Sequence, residues 1–385
     1  MRNTGAERSA PVFFPPIRYN IPMRGLYVHI PFCRAKCGYC DFASAPGTPG
    51  EIDVFLAALE KETASCSALG GKFRTLYIGG GTPSLLSPAQ LEKLFCAIEK
   101  LTGPLKDLAE ATFEANPESL DAEKAGLLKR AGVGRVSLGL QASQDALLRR
   151  LGRVAMSGDF LRAWDALRAA GFDNLNADLM CGLPGQSRAD FAESLGWLLR
   201  LKPEHVSFYA LEVHEGTPFA AAGVKEDPEG AADMYAAGAA ALEAEGLGRY
   251  EISNFARAGR QSLHNLNYWA QGEYLGLGPA AASYLGGERR ANTADTAAYV
   301  KAALAGAPVP QQYREALTGR ARTAERIMLG LRRSAGIELT DDIFIEFKDE
   351  TERLLKAGLV ELNGRSLRIK PDSLYVSNAV FREFV

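Results

Sequence analysis

From Gly25 onward, short apolar or β-branched runs alternate with stretches whose apolar residues recur at helical spacing. The runs predict strands over Gly25–Ile30, Arg74–Ile78, Ala111–Glu114, Arg135–Leu140, Asn174–Leu179 and His205–Ala210. Between them, helices are expected near Ile52–Leu69, Pro88–Lys100, Ala122–Ala131, Phe160–Ala170 and Ala189–Leu199. Ser87-Pro88 is a start signal, and Gly132 and Gly171 stand where two helices should stop. Repeated strand–helix units imply an α/β fold with a parallel sheet, either open and doubly wound or curled into a barrel.

Polar residues favour the barrel. Cys33 to Cys40 follow the first strand, Gly79-Gly80-Gly81-Thr82-Pro83 the second, and Glu114-Ala115-Asn116-Pro117 sits at the third. Gln141 ends the fourth, Asp178 the fifth, and Tyr209 lies near the end of the sixth. Parallel strands send their C-terminal ends to one face, and a barrel gathers those ends around one cavity. An open sheet would focus them on a single crevice.

After Glu212 the pattern changes. A helix near Glu229–Glu245 and a short Tyr250–Ile252 segment lead into Arg257 to Ala294, rich in Gly and Asn and without a regular period. From Thr323 the tail reads helix, helix (Phe344–Ala357), then a hairpin turning at Asn363-Gly364. The chain therefore divides into a loose extension over 1–22, a partial (β/α)6 TIM-like barrel over 23–255, an irregular connection over 256–320, and a helical, winged-helix-like module over 321–385. Such modules often bind DNA, but Glu and Asp in these helices weaken that reading. Met23, directly before the first strand, is a candidate translation start.

Composition narrows the class. At 385 residues the chain exceeds the ~250–300 at which single cores stop growing. An apolar content of 47% and a net charge of −2 describe a soluble globular protein, with no basic excess for nucleic acid. No apolar run approaches the ~18 residues of a membrane span. The six cysteines are too few for a disulfide scaffold, and three crowd together at Cys33, Cys37 and Cys40. That usage predicts metal binding in a reducing cytoplasm.

Three thiolates spaced Cys-x3-Cys-x2-Cys can grip three corners of a four-iron cluster and leave the fourth iron open to a small chelator. Phe32, Tyr39 and Phe42 would shield it from water. The alternative is a zinc site with His29 as fourth ligand, although no second Cys or His pair completes it. Cys66 and Cys96 fall in helical patterns and read as buried cysteines; Cys181 reads as core or cavity wall.

The cysteine motif, preceded by Tyr27-Val28-His29-Ile30-Pro31-Phe32, resembles the signature of the radical S-adenosylmethionine (SAM) superfamily. Within it, the chain resembles the branch of oxygen-independent coproporphyrinogen III oxidases and HemW-like heme chaperones. Motifs from Tyr27 to Trp269 carry the likeness. It implies a [4Fe–4S] cluster on Cys33, Cys37 and Cys40, an electron donor for it, and SAM chelating the open iron. It further implies SAM-contacting roles for Tyr27, Tyr39, Gly80, Gly81, Thr82, Glu114, Gln141, Arg153 and Asp178. The ordinary alternatives are a tight turn at the glycines, a surface ion pair at Arg153, and helix capping by Glu114 and Asp178.

Two features separate oxidase from chaperone. The oxidases extend the cluster motif with a cysteine two positions on, where this chain has Phe42. His264-Asn265-Leu266-Asn267-Tyr268-Trp269 resembles a His-Asn-x-x-Tyr-Trp motif linked with heme, which makes His264 a candidate heme ligand beside two aromatics. In the segment Gly276 to Ser283, however, Ala282 stands where the chaperones generally carry histidine. His214 or His205 is then an alternative ligand, and His29 a proton shuttle or packing residue. The resemblance implies heme as cargo, passed to an acceptor protein such as a respiratory enzyme. Its rivals are oxidative decarboxylation of coproporphyrinogen III and radical chemistry on another substrate.

Overall fold

Six strands alternate between apolar and polar positions over most of their length, and that alternation sets the architecture. They are β1 (Gly25–Ile30), β2 (Thr75–Gly80), β3 (Glu110–Ala115), β4 (Arg135–Gln141), β5 (Leu175–Cys181) and β6 (His205–Ala210). In this computed structural model, which describes residues 23–69 and 73–384, they pair in parallel and in chain order. A doubly wound sheet would reverse its order at a switch point, and these six strands do not. The expected extension over 1–22 lies outside the described residues.

One face of each strand feeds the main core. Leu26, Val28, Ile78, Phe113, Leu138 and Phe208 are buried in one cluster with residues of the surrounding helices. Those helices are α1 (Pro49–Ser65), α2 (Pro88–Thr102), α3 (Ala122–Arg130), α5 (Ser157–Ala169) and α6 (Arg188–Arg200), whereas the short α4 (Asp145–Arg150) buries Leu147 and Leu148 in a separate cluster. Capping boxes at Thr48/Glu51, Ser87/Gln90 and Ser187/Asp190 fix three of their starts. The opposite strand positions, among them Tyr77, Glu114, Arg135, Ser137, Asp178 and Ser207, line a cavity of about 860 Å³. A typical (β/α) barrel packs its interior with branched apolar side chains; this one keeps a polar lumen.

The stretch 256–320 is more regular than its sequence. Strands β7 (Gly248–Arg249) and β8 (Asn254–Ala256) continue the sheet beyond β6, with β8 antiparallel to it. On the other side β9 (Tyr274–Leu277) runs parallel to β1, followed by β10 (Ala282–Leu285), β11 (Glu288–Asn292) and β12 (Gln311–Ala316). Twelve strands thus form one curved sheet, a partial barrel that hydrogen bonds do not close. A short helix, Leu263–Trp269, packs against β2 beside it.

The tail builds its own hydrophobic cluster, with Ile327, Leu331, Phe347, Leu354, Leu367 and Val380 at its centre. Helices Gly319–Leu331, Asp341–Glu346 and Lys348–Lys356 precede a hairpin, Val360–Asn363 with Ser366–Ile369. Among the described residues no helix is long and apolar enough to cross a membrane.

Candidate functional site

The cluster loop leaves β1 and folds back over the C-terminal ends of the strands. Cys33 N–H donates to Ala45 O (3.1 Å), and Ala45 N–H returns a bond to Pro31 O (3.0 Å), closing the loop. Cys33, Cys37 and Cys40 are free thiols, partly buried, and all three line the polar cavity. Burial pushes the Cys37 and Cys40 thiols up, and their neighbouring sulfurs add to it. Among the described residues no three Cys, His, Asp or Glu are drawn around a single ion. Three sulfurs sharing a cavity wall fit a cluster of several irons, whose charge would hold them as thiolates. His29, the proposed fourth zinc ligand, is otherwise engaged: its Nε2–H donates to Ala43 O (2.9 Å), and Nδ1 accepts from Tyr27 O–H (3.0 Å).

The glycines after β2 let this loop approach. A Cβ on Gly81 would sit 2.6 Å from Phe32 O and 3.0 Å from Cys33 Sγ. Gly80 has φ +106°, and a Cβ there would meet the His29 ring at 2.7 Å. The turn is therefore shaped by the cluster loop as much as by any ligand.

The structure gathers most of the expected SAM residues on one cavity wall. Tyr39, Gly80, Gly81, Glu114, Gln141, Arg153 and Asp178 line the polar lumen. Arg153 is buried, not on a surface ion pair: one Nη–H donates to Gly139 O (2.9 Å) and to Asn116 Oδ1 (3.3 Å). Gln141 holds φ +70° at a bulge between β4 and β5, an uncommon conformation for a residue with a side chain. Two expected residues point elsewhere. The Thr82 hydroxyl donates to Cys33 Sγ (3.3 Å) and accepts from Asn116 Nδ2–H (3.0 Å), so it braces the cluster loop. Tyr27 lines a second, neighbouring cleft.

Electrostatically the lumen is loaded with carboxylates. Burial pushes Glu114 up to about 7, assisted by Asp178 and opposed by the Tyr77 O–H (2.6 Å) and Gly80 N–H (3.3 Å) bonds it accepts. Burial also raises Asp178, which accepts from Asn176 Nδ2–H at 2.7 Å. Neither caps a helix. Two buried acids beside a polar cavity suit a cationic ligand, as the sulfonium and ammonium of SAM are.

The histidine expectations divide. His264 is fully buried, with Nδ1 bonded to the Thr75 hydroxyl (2.9 Å) and Nε2 to the Tyr268 hydroxyl (2.8 Å). Burial holds its imidazole down at about 3, and it lines neither cavity. In this arrangement both ring nitrogens are used, so no lone pair of His264 is offered to a heme iron. His205 is also buried and fully bonded, to Asn176 Oδ1 (2.6 Å) and the Tyr250 hydroxyl (2.8 Å). His214 borders the polar lumen and is half exposed.

The motif's aromatics behave differently. Tyr268 and Trp269 line the second cleft, about 560 Å³, with Phe42 and Ala282. Phe42, Gly80 and Glu114 border both spaces. Sequence reasoning missed Tyr77, Arg135, Tyr284 and Arg289. The first two were signalled by the polar phase of their strands, whereas the others lie on β10 and β11, where no period showed. Cys96 is exposed, against expectation, because it falls off the apolar stripe of α2 formed by Leu91, Leu94, Phe95 and Ile98; Cys66 is only half-buried, at the end of α1. Cys181 is core.

Residues 27–198 match the radical SAM superfamily. The chain is 36% identical to the heme chaperone HemW of Bacillus subtilis over 94% of this chain and 99% of that one. It is 35% identical to the heme chaperone HemW of Mycobacterium tuberculosis, covering 97% and 98%. In three dimensions it resembles Escherichia coli coproporphyrinogen III oxidase (HemN), a radical SAM enzyme, with a TM-score of 0.82, 24% identity, and coverage of 96% and 91%. At that identity the likeness speaks for the fold.

Proposed function

The chain belongs to the HemW family of the radical SAM superfamily, and from that premise we propose that it binds heme and passes it to an acceptor protein. Its cofactors are a [4Fe–4S] cluster and SAM, with heme as cargo. When bound, the cluster and SAM supply one-electron chemistry at a sulfonium. Cys33, Cys37 and Cys40 would hold the irons, with Thr82 donating to the first sulfur. Glu114 and Asp178 would balance the cationic ligand, while Tyr39, Gly80, Gly81, Gln141 and Arg153 complete its wall. Tyr27 would act indirectly, through His29 and the cluster loop.

The observation that carries this reading is 36% identity over nearly the full length of a heme chaperone, joined to a second, aromatic cleft that shares Phe42 with the cluster cavity. Oxidase activity is disfavoured because Phe42 replaces the additional cysteine. A cytoplasmic location, a reduced one-electron donor and a respiratory enzyme as acceptor complete the proposal.

Anaerobically reconstituted protein should take up heme stoichiometrically and release it to an apo-heme protein. Incubation with coproporphyrinogen III, SAM and a reductant should yield no porphyrin product above background. Robust product would overturn the chaperone assignment.

A further inference from the structure

The second cleft is built from the part of the chain that looked irregular. On one face of the extended sheet, Tyr274 of β9 pairs across to Tyr284 of β10, and Tyr284 to Arg289 of β11. Ala282 lies two residues from Tyr284 on the same face, and Tyr313 of β12 pairs with Ala291, opposite Ala282. Side chains two apart on a strand share a face, so these residues form one wall. Tyr268, Trp269 and Phe42 of the cluster loop line the same space. At about 560 Å³ the space is of the size that encloses a small-molecule ligand.

Three of its polar groups are unpaired, and all three are donors. The Tyr284 hydroxyl, the Trp269 Nε1–H and the Arg289 Nε–H are buried and have no hydrogen-bond partner. Tyr284 itself is only 3% exposed. Arg289 spends Nη1 on Glu325 and lies 5.9 Å over the Tyr284 ring, while its Nε–H is unpaired. Buried polar atoms are almost always paired, so three unpaired donors on residues that line one cleft point to a ligand that draws them toward it. The wall's carboxylate, Glu114, is already bonded to Tyr77 and Gly80. Aromatic walls suit a flat macrocycle; clustered N–H and O–H donors suit its carboxylates.

We propose that this cleft, not the buried His264, is the heme seat, with Tyr284, Trp269 and Arg289 donating to the propionate carboxylates. The assignment rests on the heme-carrier reading above and adds where the cargo sits and what grips it. His264 then acts as a positioning residue: its Nε2 fixes the Tyr268 hydroxyl and so sets Tyr268 in the lining of the cleft. The departure at Ala282 also acquires meaning. The position lies in the wall of this cleft, so an imidazole placed there would meet the cargo.

The test is heme titration of the anaerobically reconstituted full chain, followed by its Soret band, with iron, sulfide and SAM binding checked in each variant. Tyr284→Phe and Arg289→Gln should each weaken heme binding roughly tenfold, the usual scale for a hydrogen bond to a charged group. Heme dimethyl ester, which lacks the carboxylates, should bind wild type and both variants alike. Ala282→His should leave cluster and SAM unchanged and shift the heme spectrum to that of an imidazole-ligated iron. Wild-type protein that takes up no heme would overturn the carrier reading itself. Normal heme uptake with both donor variants unaffected and no spectral change in Ala282→His would overturn the cleft while leaving the carrier reading intact.

Discussion

Thr82 donates its hydroxyl to Cys33 Sγ at 3.3 Å, tying the turn after β2 to the first sulfur of the cluster loop. Hydrogen bonds to cluster sulfurs stabilise the more negative, reduced state. Thr82→Val removes the donor at nearly constant shape. The cluster midpoint should fall by about 40 mV, the equivalent of about 1 kcal/mol for one electron. Spectroelectrochemical titration measures it, and an unchanged potential would mean the contact is absent in the loaded protein.

Gly81 has no room for a side chain, because its Cβ would press on Phe32 O and Cys33 Sγ. Gly81→Ala should displace the loop and lower retained iron and sulfide to below half of wild type. Gly134, which has open space around it, is the control: Gly134→Ala should reconstitute fully. Equal iron in both variants would count against the loop geometry.

Glu114 is held up at about 7, chiefly by burial. A carboxyl raised from the ordinary 4.5 binds its proton more tightly in the folded state, so stability is lost as pH rises through that window. SAM-free Glu114→Gln should therefore match wild type near pH 4 and exceed it by about 2–3 kcal/mol at pH 8. Urea unfolding at the two pH values decides it. A variant less stable than wild type at pH 8 would show that the carboxylate is already compensated.

His264 has the opposite sign. Its folded form stays neutral to about pH 3, whereas the unfolded imidazole takes a proton below about 6.5. The stability it contributes is full above 6.5 and drains as pH falls. At pH 7 His264→Gln should cost about 2 kcal/mol through lost buried bonds to Thr75 and Tyr268. Between pH 7 and pH 5 that gap should narrow by about 2 kcal/mol. A constant gap would place the imidazole in contact with solvent.

Much of the barrel was legible because its strands are regular. β1 and β6 were placed residue for residue, and the cysteine spacing announced the cluster loop before any contact was known. The short α4, six residues, carries too few turns for a helical period. Strands β9 to β12 escaped because Gly276, Arg289, Arg290 and Arg314 interrupt their apolar phase, and β9 takes β1, far along the chain, as its partner. For the same reason the aromatic cleft was invisible: Phe42, Trp269 and Tyr284 meet only in three dimensions. The histidine of the His264 motif was legible as a residue, yet its bonds to Thr75 and Tyr268 were not, so its lone pairs looked available.

The central claim is that one chain carries both a SAM-type iron–sulfur cluster and heme. It is tested most directly by the metal and sulfide content and absorption spectrum of anaerobically reconstituted protein, taken before and after adding heme. The account predicts four irons and four sulfides per chain, as a [4Fe–4S] cluster requires, with charge-transfer bands that persist while a stoichiometric Soret band grows in. Zinc in place of iron and sulfide, or a cluster spectrum with no heme uptake, would contradict it.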